Sequence, residues 1–125
     1  MALTLTIGSE PLAICRLPAS PPLPSWIGNH GLRSATWTAD ELSVVCGAAQ
    51  VPKDVIAEEG WRSLQVEGPL DFSLTGILLA IAAPLAAANI SLFALSTFDT
   101  DYVLVKEADL NAAVSALKRA GHQIH

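Results

Sequence analysis

Two short stretches in the second half of the chain are dense in carboxylates and hydroxyls: Asp71-Phe72-Ser73-Leu74-Thr75-Gly76-Ile77, which ends beside a glycine, and Ser96-Thr97-Phe98-Asp99-Thr100-Asp101. The first stretch opens an apolar, alanine-rich run with helical spacing. The leading amides of a helix have no internal partners, so with the helix dipole they favour a carboxylate. Gly76 carries no side chain to block a close approach. An ammonium group needs acceptors, and Asp71, Asp99 and Asp101 are candidates. A plainer reading stays open beside this one. Asp71 and Ser73 suit a turn or a helix cap, and Asp99 and Asp101 suit a hairpin turn. Phe98 either covers a ligand or closes a small core.

Few other residues point to chemistry. His30, His122 and His125 do not cluster in sequence, and no Cys/His spacing suggests zinc. No glycine-rich phosphate loop, Gly-x-Ser-x-Gly elbow or His-Glu-x-x-His occurs. The expectation is therefore no catalytic residue, no metal and no cofactor. Trp26, Trp37 and Trp61 read as core or interface residues. Cys15 and Cys46 read as reduced core thiols.

Composition narrows the partners. The net charge is −5, and the seven Lys and Arg residues are scattered, which disfavours nucleic acid and anionic membrane surfaces. Residues 76–95 are long and apolar enough to suggest a membrane span. Pro84, Asn89 and Ser91 interrupt that run, so a helix followed by a strand is the better reading. Met1 to Thr6 lacks the pattern of a signal peptide, and a cytoplasmic location is expected. Hydrophobic residues make up 51% of the chain and charged residues only 15%, so an apolar face is expected to be covered by a second copy.

The elements that must hold the two stretches follow from periodicity. Trp61 to Glu67 alternates as a half-buried strand, and Gly68-Pro69 ends it. A helix is expected from about Thr75 to Ala88, with Leu74, Leu78, Ile81, Leu85 and Ala88 as its apolar stripe and a kink at Pro84. Ile90 to Ser96 and Asp101 to Lys106 form a hairpin. A second helix runs from about Ala108 to Ala120, capped by Gly121, with Gln123 to His125 as a short last strand. The order β-α-β-β-α-β is that of ferredoxin-like domains. The first half is a rougher version: strands at Leu3–Ile7, Leu12–Leu17, Arg33–Trp37 and Leu42–Cys46. Pro18, Pro21, Pro22 and Pro24 stiffen the place of the first helix, and a short turn is expected near Ser25-Trp26-Ile27. Gln50 to Gly60 reads as a linker. Thr36-Trp37-Thr38-Ala39-Asp40 and Thr97-Phe98-Asp99-Thr100-Asp101 form a weak internal repeat.

Asp71 to Leu78, the apolar helix with Pro84-Leu85, and Leu95-Ser96-Thr97-Phe98-Asp99-Thr100-Asp101-Tyr102-Val103-Leu104-Val105 together resemble an ACT domain. The chain is similar to small tandem-ACT proteins of bacteria and to the ACT repeats of CASTOR-type arginine sensors. That resemblance implies an α+β fold of two ferredoxin-like ACT units: residues 1–59, degenerate, and residues 60–125. It implies a regulatory module that binds a free amino acid at an ACT–ACT interface, with a homodimer as the expected assembly. Ligand contacts are then expected from Asp71, Leu74, Thr75, Gly76 and Ile77 and from Ser96, Thr97, Phe98, Asp99, Thr100 and Asp101. The departures, a proline-rich stretch in place of the first helix and a nearly absent final strand, favour an alternative: a structural or protein-interaction module that has lost ligand binding.

Overall fold

The computed structural model describes residues 1–20 and 22–125. Pro21, one of the four prolines read as a stiff connection, lies outside the described residues. The fold is α+β, with two ferredoxin-like ACT-type units, the N-terminal one degenerate.

One unit joins Met1–Ser9 to Arg62–His125. Its elements are β1 (Thr4–Ile7), the second part of β5 (Ile56–Val66), α1 (Ile77–Ala87), β6 (Phe93–Ser96), β7 (Asp101–Lys106), α2 (Leu110–Arg119) and β8 (Gln123–Ile124). The sheet order is β6-β7-β5-β1-β8. The first nine residues belong here because β1 pairs antiparallel with β5, Leu5 opposite Val66, and parallel with β8, Leu5 opposite Ile124. The first nine residues thus join the second half of the chain in this unit. Alternation puts one face of these strands against the helices. Leu5, Leu64, Val66, Val103 and Val105 meet Ile77, Ile81 and Leu85 of α1 and Ala113 and Leu117 of α2.

The buried stripe of α1 is thus Ile77, Ile81 and Leu85, spaced by four; it shares Ile81 and Leu85 with the expected stripe but not Leu74, Leu78 or Ala88. Leu74 lies ahead of the helix, and Leu78 is turned outward, 41% exposed. α1 also runs through Pro84 without ending. The last turn of α2 carries Lys118 and Arg119 where the dipole favours cations, and Gly121 follows at φ +99°.

The other unit is Glu10–Trp61. β2 (Leu12–Leu17) pairs with β4 (Leu42–Gly47) and with the first part of β5, and β3 (Ser34–Trp37) pairs with β4. Residues 56–60, read as linker, are strand: Ile56 pairs with Arg16 and Ala57 with Cys15. A single 3-10 turn, Ser25–Ile27, stands where the first helix would be. Ala13, Cys15, Leu42, Val44 and Cys46 form the core, with Ile27.

The internal repeat has a different register from the one its letters suggest. The Thr38 amide donates to the Glu41 carbonyl, as that of Thr97 does to Thr100. The Thr38 hydroxyl oxygen accepts from the Glu41 amide, as that of Thr97 does from Thr100. Trp37 pairs with Leu42 and Ser96 with Asp101. Thr38-Ala39-Asp40-Glu41 therefore matches Thr97-Phe98-Asp99-Thr100, and Thr36 has no part in the match.

No helix among the described residues is long and apolar enough to cross a membrane.

Candidate functional site

The two polar stretches meet within the first unit. A concavity of about 260 Å³ is lined by Asp71, Leu74, Gly76 and Ile77 on one side and by Thr97, Phe98, Asp99, Thr100 and Asp101 on the other. Of the residues expected there, Thr75 and Ser96 do not line it. Leu70, Phe72 and Leu78 line it and were not expected. Phe72 lies inside the Asp71–Ile77 loop, where its apolar ring carries no polar signal of its own. Leu78 was assigned to the core stripe by a helical phase that α1 does not follow.

Backbone chemistry fixes the wall beneath the hairpin turn. Thr100 is buried and donates its hydroxyl to the Val66 carbonyl at 2.6 Å. The Leu70 amide donates to the Asp99 carbonyl at 2.7 Å. Gly68 permits this approach, since a Cβ there would stand 3.0 Å from the Asp99 carbonyl oxygen and 3.2 Å from Thr100 Cβ. The turn is tightened from within by the Thr97 amide, 2.8 Å from the Thr100 carbonyl.

The opposite wall is the entry to α1. Asp71 Oδ1 accepts the Ser73 amide and the Ser73 hydroxyl, each at 2.8 Å, and the Asp71 carbonyl accepts the Leu74 amide. The Ser73 amide first, and then its hydroxyl, holds the Asp71 carboxyl below the ordinary carboxylate range. Asp71 thus shapes its own loop and does not cap the helix. Gly76 is the N-cap at φ +80°, a left-handed conformation that disfavours any side chain, and no side chain caps the helix. Its carbonyl accepts the Ala80 amide at 2.9 Å, while the amides of the first turn have no intrahelical acceptor.

Gly76, Ile77 and Leu78 at this uncapped helix start line the concavity with three aspartates, and no Lys or Arg among the described residues lines it. Asp101 is oriented by Ser96, whose hydroxyl donates to Oδ1 at 2.7 Å. This gives Ser96 a supporting role from outside the lining. Asp99 is exposed on the turn. At the rim Phe72 and Phe98 meet edge to face, their centroids 4.8 Å apart and their planes at 83°. Positive potential at the helix start and negative potential at the hairpin suit a zwitterion.

A family model described as ACT domain matches residues 56–119, and a second, describing an N-terminal domain, matches residues 10–54. The chain belongs to the ACT-domain family. Among proteins similar to this ACT chain is the cytosolic arginine sensor for mTORC1 subunit 1 of Bos taurus. It is 35% identical, over 80% of this chain and 34% of the sensor. The Homo sapiens sensor is 44% identical over 62% of this chain and 26% of its own length. The chain thus spans about a third or less of the arginine sensors it matches. A solved structure of protein Atu0741 from Agrobacterium tumefaciens has a TM-score of 0.94 at 38% identity, covering 100% of this chain and 93% of that one. The alpha and beta subunits of aspartokinase share the fold, with a TM-score of 0.66 at 13% identity.

The Glu10–Trp61 unit keeps the turn but not its chemistry. Ala39 stands in the place of Phe98, and buried Leu42 in the place of Asp101. Asp40, the match of Asp99, offers its carbonyl to Arg16 at 3.1 Å. No group of three or more His, Cys, Asp or Glu among the described residues is placed to hold a metal.

Proposed function

We propose that this ACT chain is a non-catalytic regulatory module that binds a free amino acid in the concavity between the start of α1 and the β6–β7 turn. The observation that carries this reading is the pairing of the uncapped start of α1 with three aspartates in one notch that no Lys or Arg among the described residues lines. In the proposed pose the ligand carboxylate takes the amides of the first turn of α1. Its ammonium faces Asp99 and Asp101, and the acidic lining favours a cationic side chain over an anionic one. The similarity to arginine sensors supports the same choice. The open side of the notch suits a second copy, so the module is proposed to work as a cytoplasmic homodimer with the ligand at an ACT–ACT interface.

A thermal-shift panel of free amino acids tests this. Arginine and lysine are expected to raise the melting temperature most, since a ligand at a hundred times its Kd adds about 2.7 kcal/mol to stability. The absence of a shift for every amino acid at millimolar concentration, with no retained ligand in native mass spectrometry, overturns the reading.

One observation favours a protein-interaction module instead: Phe72, Leu74, Leu78, Leu79 and Phe98 are all exposed apolar residues. That reading expects the thermal panel to be flat and substitution of this patch to change oligomeric state alone.

A further inference from the structure

Pro84 has no N–H to give to the carbonyl four residues earlier, which belongs to Ala80. That carbonyl is nevertheless partnered, because His122 Nε2 lies 2.9 Å from it. Across the same ring, Nδ1 lies 3.0 Å from the Leu3 amide nitrogen. The Leu3 amide only donates and the Ala80 carbonyl only accepts, so the two contacts fix the tautomer. Nδ1 is bare, Nε2 carries the hydrogen, and the ring is 5% exposed.

We propose that His122 is a proton-operated latch between the N-terminal strand and the pocket-bearing helix. With Nδ1 bare, the ring ties Leu3 to Ala80. A proton on Nδ1 turns the acceptor of the Leu3 amide into a donor, and the tie opens. Leu3 leads directly into β1, and its carbonyl accepts the Gln123 amide at 2.9 Å, so β1 and β8 feel the opening together. At the other end Ala80 closes the first turn of α1 on Gly76, which lines the concavity.

The ring's two hydrogen bonds go to main-chain groups, the Leu3 amide and the Ala80 carbonyl, and Glu67, directly after β5, lies beside Thr4 at the start of β1. α1 has no titratable side chain; the end of α2 carries Lys118 and Arg119, both exposed; β8 is followed by His125. The latch rests on its two bonds and not on the identity of any ligand.

Nitrogen NMR of the histidine rings in the full chain, together with amide exchange from about pH 8 to 5, tests it. The Nε2–H tautomer is expected at the alkaline end. As the His122 ring takes up its proton, the Leu3 amide resonance should shift. Its protection, corrected for intrinsic exchange at each pH, should fall about tenfold or more. His122→Gln should abolish the Leu3 step. Pro84→Ala supplies the missing N–H to Ala80, so the Leu3 step should remain. A Leu3 amide that stays unchanged while the His122 ring protonates overturns the latch, as does a Leu3 step that survives in His122→Gln.

Discussion

Phe72 meets Phe98 edge to face, with 4.8 Å between ring centroids, although the two residues are 74% and 79% exposed. The contact links the loop before α1 to the β6–β7 turn across the mouth of the concavity. Exposed aromatic pairs fall at the low end of the range for such contacts, so a double-mutant cycle of Phe72→Ala and Phe98→Ala should give a coupling of about 0.5 kcal/mol. The larger effect is expected on ligand binding. Each single variant should weaken the best amino-acid ligand several-fold in calorimetry while leaving the urea midpoint nearly unchanged.

Thr100→Val removes a buried hydroxyl that donates to Val66 and keeps the volume. The Thr97–Thr100 turn retains its backbone bonds. A loss of about 1–2 kcal/mol is expected in urea unfolding, because the Val66 carbonyl loses a buried donor. Thr97→Val leaves the Thr100 hydroxyl bond in place and should cost less.

Asp99→Asn and Asp101→Asn test the sign of the site. Each removes one negative charge from the notch. Affinity for a cationic amino acid should fall about tenfold per substitution, more for Asp101, which Ser96 holds in place. Affinity for a neutral amino acid should fall less, and this difference should shrink at high salt. Equal losses for both ligand types would place the aspartates in loop structure alone.

Much of this arrangement is legible from residues, and the misreadings have physical causes. The period-2 strands and the α-β-β-α order of the second half follow from which faces must be buried. Asp71 to Ile77 and Ser96 to Asp101 converge because a helix entry and a hairpin turn lie at the same end of the sheet. The phase of α1 was misread because α1 is apolar nearly all round, so spacing alone does not separate core-facing Ile77 from outward-facing Leu78. The attachment of β1 to β5 and β8 is a long-range pairing that no local pattern records. Residues 56–60 looked like linker because Glu58, Glu59 and Gly60 are poor strand formers, yet pairing with β2 decides their conformation. The roles of Ser96 and Phe72 depend on neighbours that only the fold supplies.

Asp71 gives a local pH test. Its carboxyl is held low by the Ser73 amide and, in smaller part, the Ser73 hydroxyl. Ser73→Ala removes only the hydroxyl, so the Asp71 titration measured by carboxyl-carbon NMR should move part of the way back toward the ordinary carboxylate range. Because the folded group is the stronger acid, its contribution to loop order is present above the ordinary range and is lost as pH falls through the lowered value. The Ser73 and Leu74 amide resonances should report that loss in acid.

The thiols of Cys15 and Cys46 provide the converse case. Both are buried, and the register sets Cys15 opposite Val44 and Cys46 opposite Ala13, on one face of neighbouring strands. Burial, then the charge of a neighbouring Cys46 thiolate and the hydrogen bond between the two thiols, pushes Cys15 up to about 12. Burial also raises Cys46. Since the thiolate is the reactive form, neither residue should react with a disulfide reagent at neutral pH in the folded chain, and both should react in guanidinium. The linkage runs opposite to that of Asp71. A thiol that ionises less readily when folded stabilises the fold below its ordinary value of 9.0, and that contribution is lost as pH rises toward about 12. Urea midpoints should therefore fall through this alkaline window. Cys15→Ala should remove part of the fall, with a smaller midpoint at neutral pH from the lost packing. Rapid labelling of either thiol in the native state at neutral pH would show that the β2–β4 core opens far more readily than its burial implies.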